Sequence, residues 1–276
     1  SFLLESVTDG DVRGRYSMIG LDPDLIFRFK DGACELNAQF DVAPHAFERL
    51  DVPPLDGLRS VLHASQLDIS DTLPPMAAGI FGYLSYDMVR FMEELPDENP
   101  NVLQLPDCLF MRPTLMAVFD GVTDTLKLVT PVRPNADIAA DAAYDAAYAR
   151  LSAAREKMLD TLPLAPLAAV GDSAAPQSNV AQETYFDMVE KAKTYIEAGD
   201  IFQVVISQRF KTPFTLPPFD LYRSLRRVNP SPYLFFLQFE DFSVVGSSPE
   251  VLVGVKDREV NIRPIAGTRK RGASLA

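Results

Sequence analysis

The chain has 276 residues, 47% of them hydrophobic, a formal net charge of −12 and a pI of about 4.7. This is enough apolar material for one large or two medium globular domains, and the acidic balance argues against nucleic acid or an anionic membrane as a general partner. No apolar run reaches bilayer length and Ser1-Phe2-Leu3-Leu4-Glu5 carries no basic leader, so neither a membrane span nor a secretory signal is expected and the location is expected to be cytoplasmic.

Residues 15–20 read as a strand. Residues 25–29, the turn Lys30-Asp31-Gly32 and residues 33–40 predict a hairpin, because Asp-Gly supplies the positive φ of a tight reversal. Leu55, Leu58, Val61 and Leu62 recur at helical spacing behind Pro53-Pro54. Residues 77–86 predict a buried strand and 87–93 the opening of a helix, while 113–119 and 123–132 form a second hairpin around Asp120-Gly121. The alanine-rich stretch 136–162 predicts a long helix that turns Tyr144, Tyr148, Leu151 and Met158 inward.

Pro163, Pro166, Gly171 and Pro176 mark residues 162–182 as a linker between domains at 1–161 and 183–276. Past it, Thr184-x-x-Asp187 signals a helix start, Tyr185, Met188, Val189, Ala192 and Ile196 share one face, and Gly199 ends the helix. Residues 201–210 predict a strand. It sends Phe202, Val204, Ile206, Gln208 and Phe210 to one side and Gln203, Val205, Ser207 and Arg209 to the other, toward either a pocket or water. A short helix stopped by Asn229-Pro230 follows, then strands at 233–239, 242–246, 251–255 and 259–263. The short links favour antiparallel pairing. The expected fold class is therefore α+β, mainly antiparallel sheets flanked by helices, in two interleaved subdomains.

The chemistry-bearing residues are sparse. Cys34 and Cys108 lie far apart and read as reduced, partly buried thiols. His45 and His63 have no Cys or His at metal-ligand spacing, and no G-x-S-x-G elbow is present, so neither a zinc site nor a serine hydrolase is supported. The most suggestive stretch is Arg263-Pro264-Ile265-Ala266-Gly267-Thr268-Arg269-Lys270-Arg271-Gly272, a cationic, glycine-punctuated turn in an acidic protein. Its backbone N–H groups, threonine hydroxyl and guanidinium groups suit a small polyanion such as a dicarboxylate. Glu250, in Gly246-Ser247-Ser248-Pro249-Glu250, is placed to move a proton. Taken singly, each motif also reads as an ordinary turn or a solvated charge run.

Taken together they are specific. Leu3-Leu4-Glu5-Ser6, Arg15-Tyr16-Ser17, Gly199-Asp200-Ile201-Phe202-Gln203-Val204-Val205, Asn229-Pro230-Ser231-Pro232-Tyr233, Ser248-Pro249-Glu250 and Pro264-Ile265-Ala266-Gly267-Thr268-Arg269 occur in that order. In this the chain resembles the chorismate-utilising enzymes, and among them component I of anthranilate synthase, from Ser1 to Gly272.

The resemblance implies that Gly267 and Thr268 hold a carboxylate of chorismate, and that Glu250 protonates the leaving ring hydroxyl. Gln203 falls where water-activating relatives carry lysine. An amide does not titrate near neutrality, so the resemblance points to ammonia as nucleophile. Ala266 stands where aminodeoxychorismate-forming relatives often carry a nucleophilic lysine. Leu4, Glu5 and Ser6 with Pro232, Tyr233 and Leu234 match the two halves of a tryptophan feedback site. The implied partners are chorismate, tryptophan as inhibitor and a glutamine amidotransferase subunit, with no nucleic acid and no membrane. The implied cofactor is Mg2+, whose ligands are expected outside this chain, with none among its own residues. By the same resemblance the chain is an amino-terminal part, incomplete at its C-terminus and inactive alone. Aminodeoxychorismate synthase component I of folate synthesis, and a non-catalytic tryptophan-binding or partner-docking module, stand as the alternatives.

Overall fold

The computed structural model describes residues 1–6, 14–70, 72–74, 76–162, 174–267 and 272. Its main element is a branched, antiparallel sheet of nine strands. Seven come early: β1 (Phe2–Glu5), β2 (Tyr16–Lys30), β3 (Ala33–Asn37), β4 (Glu48–Leu50), β5 (Phe81–Leu84), β6 (Cys108–Asp120) and β7 (Thr125–Val129). After β8 (Gln177–Ser178) and β9 (Phe210–Lys211), which pair only with each other, come the other two, β10 (Tyr233–Gln238) and β11 (Ser243–Ser248). The hairpin β12 (Val253–Lys256) and β13 (Glu259–Ile262) is separate.

β2 is the spine. One edge pairs with β6 along nearly its whole length, and the other is shared by β1 at Met18–Gly20 and by β3 at Ile26–Lys30. The register slips between Pro23 and Leu25. This bulge turns Asp24 onto the Arg112 guanidinium, at 2.8 and 2.9 Å. The β2–β3 reversal uses Asp31 (φ 50°) and Gly32 (φ 75°), as the Asp-Gly pair predicts.

Alternation along the strands builds two apolar layers. Met18, Ile26, Met111 and Val118 meet Phe2 and Leu237 on one face. Leu25, Phe27, Phe29 and Cys108 meet Leu58 and Val61 of α1 (Pro54–Ala64) on the other. Phe27 is fully buried, which contributes about 2–3 kcal/mol. Pro54 opens α1 at a position that has no backbone hydrogen bond to lose.

The chain divides into two compact units, one of residues Ser1–Leu162 with Tyr222–Pro249, the other of Pro163–Leu221 with Glu250–Ala276. The first holds the nine-stranded sheet, α1 and α2 (Ala140–Leu159). The second holds α3 (Gln182–Ala198), β8–β9 and β12–β13, and none of its described residues is buried. α4 (Pro218–Val228) passes from the second into the first at Tyr222. Residues 163–173, most of the expected linker, lie outside the described residues.

Three expectations are corrected. Residues 201–209 form no strand, and only Phe210 of that segment belongs to one. A strand needs a neighbour's N–H and C=O ladder, and β8 reaches just Phe210 and Lys211. In α2, Tyr144, Tyr148 and Met158 are exposed and Ala147 is the buried residue. The helix approaches β7 through its small side chain and through Arg150, which donates to Thr130, while the two tyrosines stack on each other one turn apart. Residues 86–91 form a 3-10 helix, and the strand expected over 77–86 is confined to β5.

Candidate functional site

The family resemblance pairs Leu4-Glu5-Ser6 with Pro232-Tyr233-Leu234, and the structure brings these segments side by side. β1 lies against β10 with Glu5 opposite Leu234 and Leu4 opposite Phe235. β10 in turn sets Tyr233 opposite Ser248 and Leu234 opposite Ser247. Alternation sends Phe2 and Leu4 toward one apolar layer, and Leu3 to the opposite face with Leu234, Phe236 and Tyr222.

Glu5 shares that second face. Its Oε2 accepts a hydrogen bond from the Tyr222 hydroxyl at 2.5 Å and lies 3.1 Å from Nε of Arg226. Both donors sit on α4, four residues apart and so on one face. Burial, and next the hydrogen bond to Glu5, push the Tyr222 phenol far above its usual range, so it stays a neutral donor. Pro232 is half-buried, Leu234 buried and Tyr233 exposed. Ser231 Oγ accepts the Tyr233 N–H at 3.3 Å, and Ser247 Oγ donates to the Asn229 carbonyl at 2.8 Å, which ties the Asn-Pro-Ser-Pro segment to β11. Gly14 (φ 108°) backs Ser6, and a Cβ there would fall 2.6 Å from the Ser6 carbonyl oxygen. Tyr222 and Arg226 were missed in the sequence. They carry no motif of their own, and only the fold brings them to Glu5, 217 residues away from Tyr222 in the chain.

The candidate catalytic residues are arranged differently. Gln203 is exposed in an irregular segment beside Phe202, which is 94% exposed. It therefore does not occupy the pocket-facing side of a strand. Glu250 is half-buried just beyond β11, and its Oε1 lies 3.7 Å from Nη1 of Arg263. The Arg263 N–H donates to the Leu252 carbonyl at 3.2 Å, so Glu250 and Arg263 meet at the start and end of one hairpin. Arg263 is largely exposed, and such a pair contributes at most about 1 kcal/mol. Gly267 is exposed with open space where a Cβ would stand, and Thr268 lies outside the described residues.

Among the described residues no three His, Cys, Asp or Glu side chains gather as a metal site. Nor is any helix among them long and apolar enough to cross a membrane. A cavity of about 420 Å³ opens on the Met111 face of the sheet between Phe40, Phe47, Phe239 and Phe242, and none of the candidate site residues lines it.

Residues 5–276 match the family described as chorismate binding enzyme. The chain is 49% identical over 99% of its length to a protein of Cereibacter sphaeroides named anthranilate synthase component 1, and 41% identical over 99% to one of the same name from Thermus thermophilus. It spans 55% of each of those proteins. Among solved structures, anthranilate synthase component I from Streptococcus pneumoniae TIGR4 superposes with a TM-score of 0.70 at 30% identity, over 91% of this chain and 54% of that one. The chain thus belongs to the chorismate binding enzyme family. Within that family it is similar to anthranilate synthase component 1 proteins, about half of whose length it spans, and it shares their mixed α+β fold.

Proposed function

We propose that this chain belongs to the large subunit of an anthranilate synthase. That subunit converts chorismate and ammonia into anthranilate, pyruvate and water, with ammonia drawn from glutamine by a partner amidotransferase subunit. The reading is supported above all by 49% identity across nearly the whole chain to a protein bearing that name. Chemistry at single positions agrees with it. Gln203 does not deprotonate water, and Ala266 offers no nucleophile. Ammonia adds to the ring, the ring hydroxyl leaves as water after taking a proton from Glu250, and loss of pyruvate makes the ring aromatic. Gly267 and Thr268 hold a substrate carboxylate through N–H and hydroxyl donors.

The corner formed by Glu5, Ser6 and Pro232-Tyr233-Leu234 is the tryptophan feedback site in this reading. Support comes from the β1–β10 register, which sets the two halves of the motif side by side in one unit. Tryptophan bound there weakens chorismate binding, and linkage makes the antagonism mutual.

The test is product analysis on the full-length protein supplied with chorismate, ammonia and magnesium. Fluorescent anthranilate is expected, and accumulation of aminodeoxychorismate overturns the assignment in favour of folate synthesis. Glu250→Gln is expected to lower kcat by about 10²–10⁴-fold, the span of a general acid. The 276-residue chain by itself is expected to give no turnover under the same conditions. Fluorescent product from it would refute that part.

A further inference from the structure

We propose that Tyr222 and Arg226 are positioning residues of the effector corner: they clasp the Glu5 carboxylate through one oxygen so that the other accepts the ammonium group of a bound amino acid. The inference rests on reading this corner as a tryptophan site, and it adds residues from a third element, α4, to the two strands.

The geometry carries it. Both contacts to Glu5 converge on Oε2, and no hydrogen bond among the described residues reaches Oε1. The Glu5 side chain is only 16% exposed, although it stands at the very end of its strand, where a glutamate ordinarily turns to water. Its main anchor does not move easily. Tyr222 is 1% exposed, and its ring packs 5.8 Å from that of Phe236, which sits on β10 beside Leu234. Arg226 follows one helical turn later and supplies the charge that makes a half-buried carboxylate tolerable.

A glutamate held this way loses its rotamer freedom on folding, so a ligand does not have to order it. One oxygen is occupied by a neutral hydroxyl and a guanidinium. The other keeps its lone pairs for an N–H donor, and a charge-assisted bond to an ammonium suits it. Ser6 follows Glu5, and the exposed Tyr233 stands beside Leu234 on the neighbouring strand, so polar and aromatic surface border the same carboxylate.

The test is calorimetric titration of tryptophan into the full-length protein and its variants, with thermal unfolding followed in parallel. Tyr222→Phe and Arg226→Met are each expected to weaken binding by about tenfold or more, the range of one lost hydrogen bond to a charged group. Arg226→Lys, which keeps a cation, is expected to restore most of the affinity. In the Glu5→Gln background, Tyr222→Phe is expected to have no further effect, because no carboxylate remains to be positioned. Wild-type affinity in Tyr222→Phe overturns the proposal. So does an equal loss in the presence and absence of the Glu5 carboxylate, since a merely structural role gives additive losses. If Tyr222→Phe does not fold, the Arg226→Met and Arg226→Lys pair decides by the same criteria. Failure of the wild type to bind tryptophan removes the effector reading and the proposal with it, whereas normal wild-type binding with indifferent variants removes the proposal alone.

Discussion

Asp120 shows how one residue closes a hairpin and sets its acid limit. Arg15 grips its carboxylate through Nε at 3.0 Å and Nη2 at 2.7 Å, and the Val122 N–H adds a third donor at 3.0 Å. The Arg15 hydrogen bonds, more than the backbone donors, hold the Asp120 carboxyl well below the usual carboxylate range. A depressed folded pKa gives stability that is present above the ordinary carboxylate value of about 4 and lost as pH falls through the folded value. Asp120→Asn is therefore expected to unfold at a lower temperature at neutral pH and to lose less on acidification toward about pH 2. Parallel melting curves for the two proteins across that range would contradict the assignment. The thiols behave in the opposite sense. Burial pushes the Cys34 thiol up and that of Cys108 up to about 12, so neither forms thiolate near neutrality. A thiol-reactive chromophore is expected to label neither cysteine at pH 8 until denaturant opens the sheet. Rapid labelling of the native protein would show that the layer around Phe29 breathes.

Among the elements, close backbone approach matters most where β5 meets β6. A Cβ on Gly82 would stand 1.9 Å from the Leu109 carbonyl oxygen, a backbone atom that cannot swing aside. Gly82→Ala is expected to cost about 3 kcal/mol, at the upper end of overpacking, read as a lowered urea midpoint with little change in slope. An unchanged midpoint would mean that β5 is loosely held. The elements with dense local signals were legible in the sequence. Asp31-Gly32 dictated its turn, Pro53-Pro54 with Leu58 and Val61 dictated α1, and Gly199 (φ 81°) ended α3 as expected. The failures share one cause, since periodicity records which side chains group together and not what they meet. Residues 201–209 alternate like a strand, yet the described residues offer them no ladder, and the tyrosines of α2 repeat like a core face while Ala147 makes the contact. The site was legible in the same partial way. Glu5 and Leu234 carry motifs and were found, but Tyr222 and Arg226 matter through a fold-dependent hydrogen bond that no local pattern spells out.

At the scale of the molecule, the first unit is closed by residues that arrive late. Ser1 and Gln238, 237 residues apart, exchange backbone hydrogen bonds, and β1 is held between β2 and β10. A chain cut after Leu221 lacks α4 from Tyr222 onward, β10 and β11, which leaves β1 with a bare edge and Phe2 without Leu237. That shortened chain is expected to aggregate on expression, whereas one carried through Pro249 is expected to be better behaved, as sedimentation of the two would reveal. The same long-range closure bears on synthesis at the ribosome. At common translation speeds, the opening strand emerges roughly ten seconds to a minute before its β10 neighbour exists. Throughout that interval the edge of the nascent segment that later meets β10 stays bare, so safe passage depends on how fast polymerisation delivers Tyr233–Gln238.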